Sequence, residues 1–418
     1  MESRTYYGEY SLKHWIDLML NGNIVLPEYQ RSFVWSEKNL KRLIASLSDK
    51  QFVPPVTLAR FVTDNGDNKN MILDGQQRLT SILLAYLGLF PDCTKFQNTE
   101  DRLSSGDDSA SDETDSTENK PIGWTFQKLL SDDHKGNSRD AIRARLLPTG
   151  NYADKTFLGE SQRDSFLKST FLGFSFIVPQ SSNQDEIRRM FSQLFRNVNY
   201  FGKPLSALES RRSLYYLNEN YKDFFDGRNS EGKDVLCGIG IIDHLQPHKL
   251  DILRYLSMLS QYTSLPDNSI NKVMRGYAAY SVRESYYADY VSYVLGLEQE
   301  SYESKFNNFV FDTAFPNHCW KERYDKLSRY LTELRPYMRL KEDKDFTSWI
   351  DADYWLFGLI YKVLFKDEPI GDKLNLRSRL YEEIRRKRED DPSYAKSPNR
   401  LGYLRERITE SIRIYESC

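Results

Sequence analysis

The chain has 418 residues, of which 39% are apolar and 28% are charged, and its formal net charge is −2. This length is too great for one ordinary hydrophobic core, so two domains, or three, are expected. The near-neutral charge excludes a chain that binds nucleic acid through an overall excess of positive charge, although a local cluster of Lys and Arg remains compatible with it.

The cysteines and the apolar runs indicate in which cellular compartment the protein is expected. Four cysteines are scattered without a C-x-x-C pair, which predicts neither a disulfide framework nor a zinc site and favours a reducing cytoplasm. No window approaches 18 consecutive apolar residues, and the first residues carry no apolar signal region. We therefore expect a cytoplasmic protein that has no membrane partner.

The first 90 residues predict a mixture of helices and short strands. Apolar residues at steps of three and four predict a helix over 11–21 and a second helix capped by Ser36. The extended runs 56–62 and 70–73 flank a segment rich in Asp, Asn and Gly and predict a β-hairpin. A third helical pattern follows directly after Gly75.

Residues 97–121 interrupt this order with eight acids, two bases and almost no apolar side chain. Such a segment buries too little apolar surface to offset the entropy lost on ordering. We expect a disordered surface insertion, because sequence typical of a folded domain resumes after it. The segment could repel stray polyanions, or it could be a plain solvated loop.

From about residue 185 onward the apolar spacing is mostly helical. The expected fold is therefore α+β, with a mixed domain over 1–215 and a mostly α-helical domain over 216–418 that binds DNA or a partner. A basic run in the helical half could contact DNA phosphates or form a solvated helix face, since acids are interleaved with it. Its members are Arg385, Arg386, Lys387 and Arg388.

Tyrosines recur between residues 277 and 293 of the helical half. They could form a surface on which bases stack, or they could pack between helices. The tyrosines are Tyr277, Tyr280, Tyr286, Tyr287, Tyr290 and Tyr293.

The motif D-G-Q-Q-R at residues 74–78 lies where a buried strand is predicted to turn into a helix. Unpaired N–H groups and the positive helix end suit an anion at such a junction. Gly75 permits a tight turn, Arg78 can donate two hydrogen bonds to phosphate oxygens, and Asp74 could hold Mg²⁺ or orient a water. Gln76 and Gln77 add neutral donors and acceptors. The alternative is an ordinary strand–turn–helix with a surface arginine.

A second glutamine–arginine pair, Gln30 and Arg31, precedes the helix that Ser36 caps. If the two preceding strands are neighbours in one sheet, both pairs converge on one point. Arg31 could instead form a surface ion pair, and its aromatic neighbours Phe33 and Trp35 could simply pack in the core.

Four ordered blocks of this sequence resemble the N-terminal domain of the GmrSD-type restriction family. They are L-P-E-Y-Q-R-S-F-V-W from Leu26, V-P-P from Val53, I-L-D-G-Q-Q-R-L-T-S-I from Ile72, and L-F-R-N-V-N-Y-F-G-K-P-L-S from Leu194. Each block alone is weak, but their order over residues 10–215 makes the resemblance specific.

The resemblance implies a ParB/sulfiredoxin-like fold whose D-G-Q-Q-R motif binds nucleotide phosphates. It implies hydrolysis of a nucleoside triphosphate or cleavage of DNA, often modified phage DNA, with Mg²⁺ as the expected cofactor. Catalytic roles fall on Asp74, Gln77, Arg78 and Arg31. The residues implied to bind the phosphates or line the site are Tyr29, Gln30, Gly75, Gln76 and Asn199.

Many members of that family also carry a C-terminal HNH-type nuclease, which needs paired histidines. Here Pro247 stands between His244 and His248, which disfavours one helical face, and His14, His134 and His318 have no matching partners nearby. We expect no second nuclease, so cleavage would come from the N-terminal site or from a partner subunit. Three hypotheses follow: a nucleotide-hydrolysing or DNA-cleaving enzyme of a phage-defence system, a non-catalytic sensor of nucleotide or modified DNA that recruits an effector nuclease, and a structural partner with a vestigial site.

Overall fold

The computed structural model describes most of the chain in two compact units, which divide between Ser213 and Leu214. The expected acidic insertion, 97–121, lies outside the described residues, so its disorder stays a prediction. The described residues are 3–26, 33–62, 68–92, 95–96, 124–131, 137–181, 183, 186–187, 190–191, 194, 207–215, 219–243, 246–265, 269–279, 283–297, 306, 308–396 and 399–418.

The first unit is built on a sheet that has five strands in the described part of the chain, in the order β1-β7-β3-β4-β2. The β1–β7 and β3–β4 pairs are antiparallel, whereas β7–β3 and β4–β2 are parallel. A separate antiparallel pair joins β5 to β6. The strands are β1 (Ser3–Ser11), β2 (Ile24–Val25), β3 (Val56–Val62), β4 (Asn68–Asp74), β5 (Leu89–Pro91), β6 (Tyr152–Asp154) and β7 (Phe171–Pro179).

The helices of the first unit begin at the capping residues that the sequence indicates. The Ser11 hydroxyl accepts a hydrogen bond from the His14 N–H, and the Ser36 hydroxyl accepts one from the Asn39 N–H. The helices are α1 (Leu12–Leu20), α2 (Glu37–Ser48), α3 (Gln76–Leu87), α4 (Arg139–Leu146) and α5 (Glu160–Ser169), with 3₁₀ turns at Phe126–Leu129 and Leu147–Thr149.

One hydrophobic core holds this unit together. Helix α3 contributes its apolar side chains to that core, including Leu79, Ile82 and Leu83, which are at most 1% exposed. Trp15 of α1 is fully buried, and its indole N–H donates to the Leu172 carbonyl at 3.1 Å. The strand–helix junction before α3 is therefore fixed by the burial of the helix that follows it.

The second unit is mostly helical, as the sequence predicts, and none of the described helices is long and apolar enough to span a bilayer. Helix α6 (Ala207–Tyr215) contains the division between the units. The other helices are α7 (Glu219–Phe225), α8 (Ile252–Ser264), α9 (Arg283–Val294), α10 (Phe311–Ala314), α11 (Trp320–Leu334), α12 (Trp349–Ile360), α13 (Lys373–Asp390), α14 (Pro392–Lys396) and α15 (Leu401–Glu416), with 3₁₀ turns at Ile270–Lys272, Pro316–His318 and Arg335–Tyr337 and a π turn at Tyr361–Phe365.

A small sheet in this unit was not predicted from the sequence. Among the described residues its strand order is β10-β11-β8-β9, with β8 and β9 forming a hairpin. Strands β8 and β11 pair in parallel although about a hundred residues separate them along the chain. The strands are β8 (Gly240–Asp243), β9 (Gln246–Lys249), β10 (Leu340–Lys341) and β11 (Asp345–Phe346).

Helices α12 and α15 approach each other closely at Gly358. Its N–H donates to the Ser411 hydroxyl at 2.8 Å, and a Cβ at this position would lie 2.2 Å from Tyr415 Cδ2. The contact is possible only because residue 358 has no side chain.

The tyrosines of α9 pack in the core of the second unit. Tyr286, Tyr287 and Tyr290 are fully buried. The Tyr286 hydroxyl donates to Gln261 Oε1 at 2.8 Å, and Tyr290 accepts from the Ser260 hydroxyl at 2.8 Å. Burial raises the pKa of both phenols. Packing between helices is therefore their role, rather than base stacking, while Tyr280 lies outside the described residues.

Candidate functional site

The D-G-Q-Q-R motif lies where β4 passes directly into α3. Strand β4 ends at Asp74, Gly75 stands at the N-cap, and α3 begins at Gln76. Gly75 has no side chain with which to cap this helix end. The first N–H groups of a helix and its positive dipole end meet at such a junction, which is the geometry that suits an anion.

Gly75 has a conformation that the other residue types rarely adopt. Its φ is +95°, in the left-handed region. A Cβ at this position would lie 2.9 Å from Val56 Cγ2 and 3.2 Å from the Val56 Cα. The backbone of the junction and strand β3 therefore approach each other closely only because residue 75 is glycine.

Arg78 projects from the first turn of α3 back onto the end of β4. Its Nη2 lies 2.6 Å from Asp74 Oδ2, and its Nη1 donates to the Pro54 carbonyl. The Arg78 side chain is only 11% exposed, whereas that of Asp74 is 47% exposed. The guanidinium is therefore held at the junction by a carboxylate that itself faces solvent.

The two glutamines of the motif are buried rather than solvent-facing. Gln76 is 4% and Gln77 is 7% exposed. Gln77 Oε1 accepts a hydrogen bond from the Val34 N–H at 3.0 Å. This bond brings the segment before α2 to the motif, so Gln77 has a positioning role that the sequence did not reveal.

The second glutamine–arginine pair cannot be placed, because Tyr29, Gln30 and Arg31 lie outside the described residues, as does Asn199. The two glutamine–arginine pairs are expected to lie close together only if the strands that precede them are neighbours in the sheet. Strand β2, which precedes Arg31, pairs in parallel with β4. The convergence of the two pairs stays a prediction.

Asp74 is the carboxylate of the motif that could hold a magnesium ion. No group of three or more His, Cys, Asp or Glu among the described residues is placed to bind a metal. Magnesium, however, is commonly held by one or two carboxylates together with substrate phosphates and water. The half-exposed Asp74 fits that kind of site, provided that it releases Arg78.

The sequence did not indicate two residues whose backbone atoms bind side chains of the motif. Pro54 contributes a carbonyl to Arg78, and Val34 contributes an N–H to Gln77. Both act through backbone atoms, so residue type gives no direct signal. The V-P-P block was the available indication, since two prolines in succession fix an extended backbone.

The basic run of the helical unit lies near the end of α13, and each of its four members has an acidic partner. The pairing reduces the positive charge that this helix offers to phosphate groups, so DNA binding here stays a prediction with less support than a solvated helix face. The pairs are Arg385–Glu389, Arg386–Glu383, Lys387–Glu406 and Arg388–Asp351.

The histidines occupy unrelated places where they are described. The ring of His14 lies 4.4 Å from that of Tyr10 in the first unit. His248 belongs to β9, opposite Ile241 of β8, and His318 follows α10. His134 and His244 lie outside the described residues.

Comparison with known proteins gives a match for the first half of the chain. Residues 12–216 match the family described as GmrSD restriction endonuclease, N-terminal domain. An uncharacterized protein of Methanocaldococcus jannaschii is 26% identical over 197 residues, which cover 40% of this chain and 32% of that protein. The chain thus spans about a third of that relative's length. No solved structure matches the chain significantly.

Proposed function

Residues 12–216 belong to the GmrSD restriction endonuclease N-terminal domain family, and from this premise we propose that the chain binds a nucleoside triphosphate at residues 74–78 in the service of DNA restriction and phage defence. The family description concerns restriction endonucleases, whose substrate is DNA. A modified phage DNA is the proposed target, and the scattered cysteines favour action in the cytoplasm.

The observation that supports nucleotide binding is the place of Arg78. Its guanidinium contacts Asp74 at the junction where the first-turn N–H groups of α3 begin, and Gly75 supplies no side-chain cap there. A phosphoryl group there would accept from those N–H groups and from Arg78 together, which are the interactions that anion sites at helix N-termini use. Gly75 supplies the positive φ with which the strand turns directly into the helix.

The proposed reaction is hydrolysis of the triphosphate or of a DNA phosphodiester. Arg78, together with Arg31, would neutralise negative charge as it develops on the phosphoryl oxygens, and Gln77 would keep the motif in register with the segment before α2. Asp74 would position the attacking water or hold Mg²⁺, which supplies further charge neutralisation when bound. Tyr29, Gln30, Gln76 and Asn199 are proposed to line the site.

A non-catalytic sensor is the second candidate. Both terminal nitrogens of Arg78 already have acceptors, from Asp74 and Pro54, so the site is arranged to hold its arginine rather than to expose it. Such a site could bind nucleotide or modified DNA without turnover and recruit an effector nuclease, or a second copy of this chain, for cleavage.

Turnover by the purified full chain tests the enzymatic proposal. Phosphate release from each nucleoside triphosphate and nicking of duplex DNA would be followed with and without Mg²⁺. We expect Arg78→Ala and Asp74→Ala each to lower kcat/KM by about 10²- to 10³-fold, the typical effect of removing one charge-stabilising group. Circular dichroism would confirm that both variants keep the fold.

The outcomes separate the two candidates. If both variants retain the wild-type rates of hydrolysis and DNA cleavage, the motif is not the active site. If nucleotide binds but nothing is turned over until a partner protein is added, the chain is a sensor. Arg60→Ala, which removes a cation from β3 outside the motif, is the matched control and should leave both rates unchanged.

A further inference from the structure

Helix α2 presents a basic face on the side opposite the hydrophobic core. Its apolar residues Leu40, Leu43, Ile44 and Leu47 are buried, and the other side of the helix is exposed. The exposed residues of that side include Lys38, Lys41, Arg42 and Ala45. Since residues 38 and 42 are one helical turn apart, their side chains project from the same face, about 6 Å apart along the axis.

This face keeps most of its positive charge. Lys38 and Arg42 form no ion pair with any residue in the described part of the chain, which distinguishes them from the four paired cations of α13. Glu37 is the one acid of the helix, and it faces both Lys41 at 2.6 Å and Lys155 at 3.1 Å. The hydrogen bond from Lys41, reinforced by Lys155, lowers the pKa of Glu37. The three cations of the helix against its one acid leave a net charge of +2.

The shape of the face suits an extended polyanion rather than a small ligand. Residues Glu37, Lys38, Lys41, Arg42 and Ala45 line a shallow open depression of about 480 Å³. The lining is a helix surface and not a closed pocket. A linear array of phosphates could follow it for about two turns of the helix, or roughly 12 Å.

An exposed aromatic ring stands just beyond the end of this helix. Phe52 is 85% exposed, the most exposed of the large apolar side chains in the described chain. A ring in that position makes no contribution to the core. Proteins that bind duplex DNA combine Lys and Arg contacts to phosphates with apolar side chains, such as Phe, that enter the minor groove at the base steps.

Both ends of α2 are tied to the D-G-Q-Q-R motif. The Val34 N–H, before the helix, donates to Gln77, and the Pro54 carbonyl, just after Phe52, accepts from Arg78. The segments on either side of α2 are therefore held to the motif, which places the helix and the motif in the same part of the first unit.

We propose that Lys38, Lys41 and Arg42 hold the backbone of duplex DNA and that Phe52 contacts the sugars and base edges beside it. The proposal rests on DNA as the partner in the proposed function, and it places the DNA surface on α2 instead of α13. The charge of the face and its connection to the motif favour nucleic acid over a protein partner.

The salt dependence of DNA binding tests the assignment. Fluorescence anisotropy of a labelled duplex would give the binding constant of the full chain at several salt concentrations. Each lost phosphate contact lowers the slope of log K against log salt by about 0.9, so Lys38→Ala/Arg42→Ala should lower it by about 1.8. Phe52→Ala should weaken binding at least about 5-fold at every salt concentration, because apolar burial against the duplex is lost, and should leave the slope unchanged.

The matched control is Arg385→Ala/Arg386→Ala, which removes two cations from α13 and the same net charge. We expect it to keep the wild-type slope. A wild-type slope for the α2 variant, a reduced slope for the α13 variant, or no DNA binding by the wild-type chain would each overturn the proposal. Thermal unfolding would show that the exposed substitutions keep the fold.

The result can be separated from failure of the proposed nucleotide site. Nucleotide binding would be measured on the same α2 variant, and it should equal that of the wild type, because neither residue belongs to the motif. Loss of the salt slope with no nucleotide binding in any protein would refute the nucleotide site and leave the DNA surface standing. If nucleotide binding is intact and the slope of the α2 variant equals that of the wild type, the DNA surface is refuted and the nucleotide site stands.

Discussion

In the proposed phosphate site, the Asp74 carboxylate would occupy the place on Arg78 where a phosphoryl oxygen binds. The contact is a 2.6 Å ion pair between a largely covered guanidinium and a half-exposed acid. A ligand phosphate must compete with that acid for the same N–H groups. The carboxylate therefore has two opposing effects on binding: it orients Arg78, and it opposes the entry of a second anion.

Asp74→Asn separates these effects. Because the variant removes the competing charge, we expect it to bind tripolyphosphate about 2- to 5-fold more tightly than the wild type in EDTA, in line with the modest strength of a partly exposed ion pair. Isothermal titration calorimetry would measure the affinity. Asp17→Asn, which breaks the i,i+4 pair with Lys13 on α1, is the control and should have no effect. Weaker binding by Asp74→Asn in EDTA would show that the acid does not compete.

A second arginine–carboxylate cluster has a structural role at the centre of the second unit. Asp353 is fully buried between Arg254, at 2.6 and 3.0 Å, and Arg407, at 2.9 Å, and it accepts from the Tyr255 hydroxyl at 3.2 Å. Burial alone would raise the pKa of Asp353, but the two guanidinium groups outweigh it and hold the pKa below its usual range. The carboxylate is the counterion of both arginines.

Asp353→Asn should destabilise the second unit by about 3–5 kcal/mol, because it leaves two buried guanidinium groups without a counterion. Urea unfolding at pH 7 would measure the change. Asp351→Asn, a nearby acid of α12 that pairs with the exposed Arg388, is the control and should cost about 1 kcal/mol or less. An equally small change for Asp353→Asn would show that the cluster does not hold the unit together.

The direction of the Asp353 pKa shift predicts how this difference depends on pH. A carboxyl whose pKa is lowered by folding stabilises the folded state fully above its unfolded pKa, near 4, and loses that contribution as the pH falls through the lower folded value. The stability gap between wild type and Asp353→Asn should therefore be constant from pH 5 to 7 and narrow below about pH 4. A gap that widens in acid would contradict the assigned charge state.

At the scale of elements, the strand–helix junction was predictable from local pattern. The alternation of β4 changes to helical spacing at Gly75, and Ser11 and Ser36 mark helix starts by their capping chemistry. The apolar spacing over 273–296 predicts one helix, but the helix of this region is Arg283–Val294, so that prediction is wrong at its start. Met274 and Gly276 have positive φ values, which break the helix that the apolar spacing indicates. Strands β10 and β11 were not predicted, because a strand of two residues is too short to show an alternating pattern.

Gly75→Ala should disrupt the junction itself. Alanine at φ +95° is strained by about 1–2 kcal/mol, and its Cβ would meet Val56 in addition. We expect the first unit to lose about 2–3 kcal/mol of stability and the chain to lose nucleotide binding. Differential scanning calorimetry and a binding titration would measure both. Gly150→Ala, at a positive φ of +68° and with open space around it, is the control for left-handed strain without the contact.

At the scale of the whole molecule, the mixed first half and the helical second half followed from the change in apolar periodicity. The long-range contacts within each unit could not be predicted from that change. Arg254 and Asp353 are 99 residues apart, and Val34 and Gln77 are 43 apart, so no local pattern pairs them. The ion pairs of α13 likewise required coordinates, because interleaved acids in a sequence do not reveal which cation each one faces.

Two compact units predict that local damage stays within one of them. Hydrogen exchange read by mass spectrometry should show that Gly75→Ala lowers protection in residues up to 213, and that Asp353→Asn lowers it from residue 214 onward. The wild type at the same temperature provides the reference for each peptide. Loss of protection throughout the chain in both variants would indicate a single cooperative unit.

The most direct measurement of the central claim is the affinity of a non-hydrolysable nucleoside triphosphate for the full chain with Mg²⁺, compared between the wild type and Arg78→Lys. Lysine keeps the charge but cannot donate from a planar fork, so we expect binding to weaken at least about 10-fold while thermal stability is retained. Equal affinity for the two proteins, or no binding to the wild type, would contradict a phosphate site at residues 74–78.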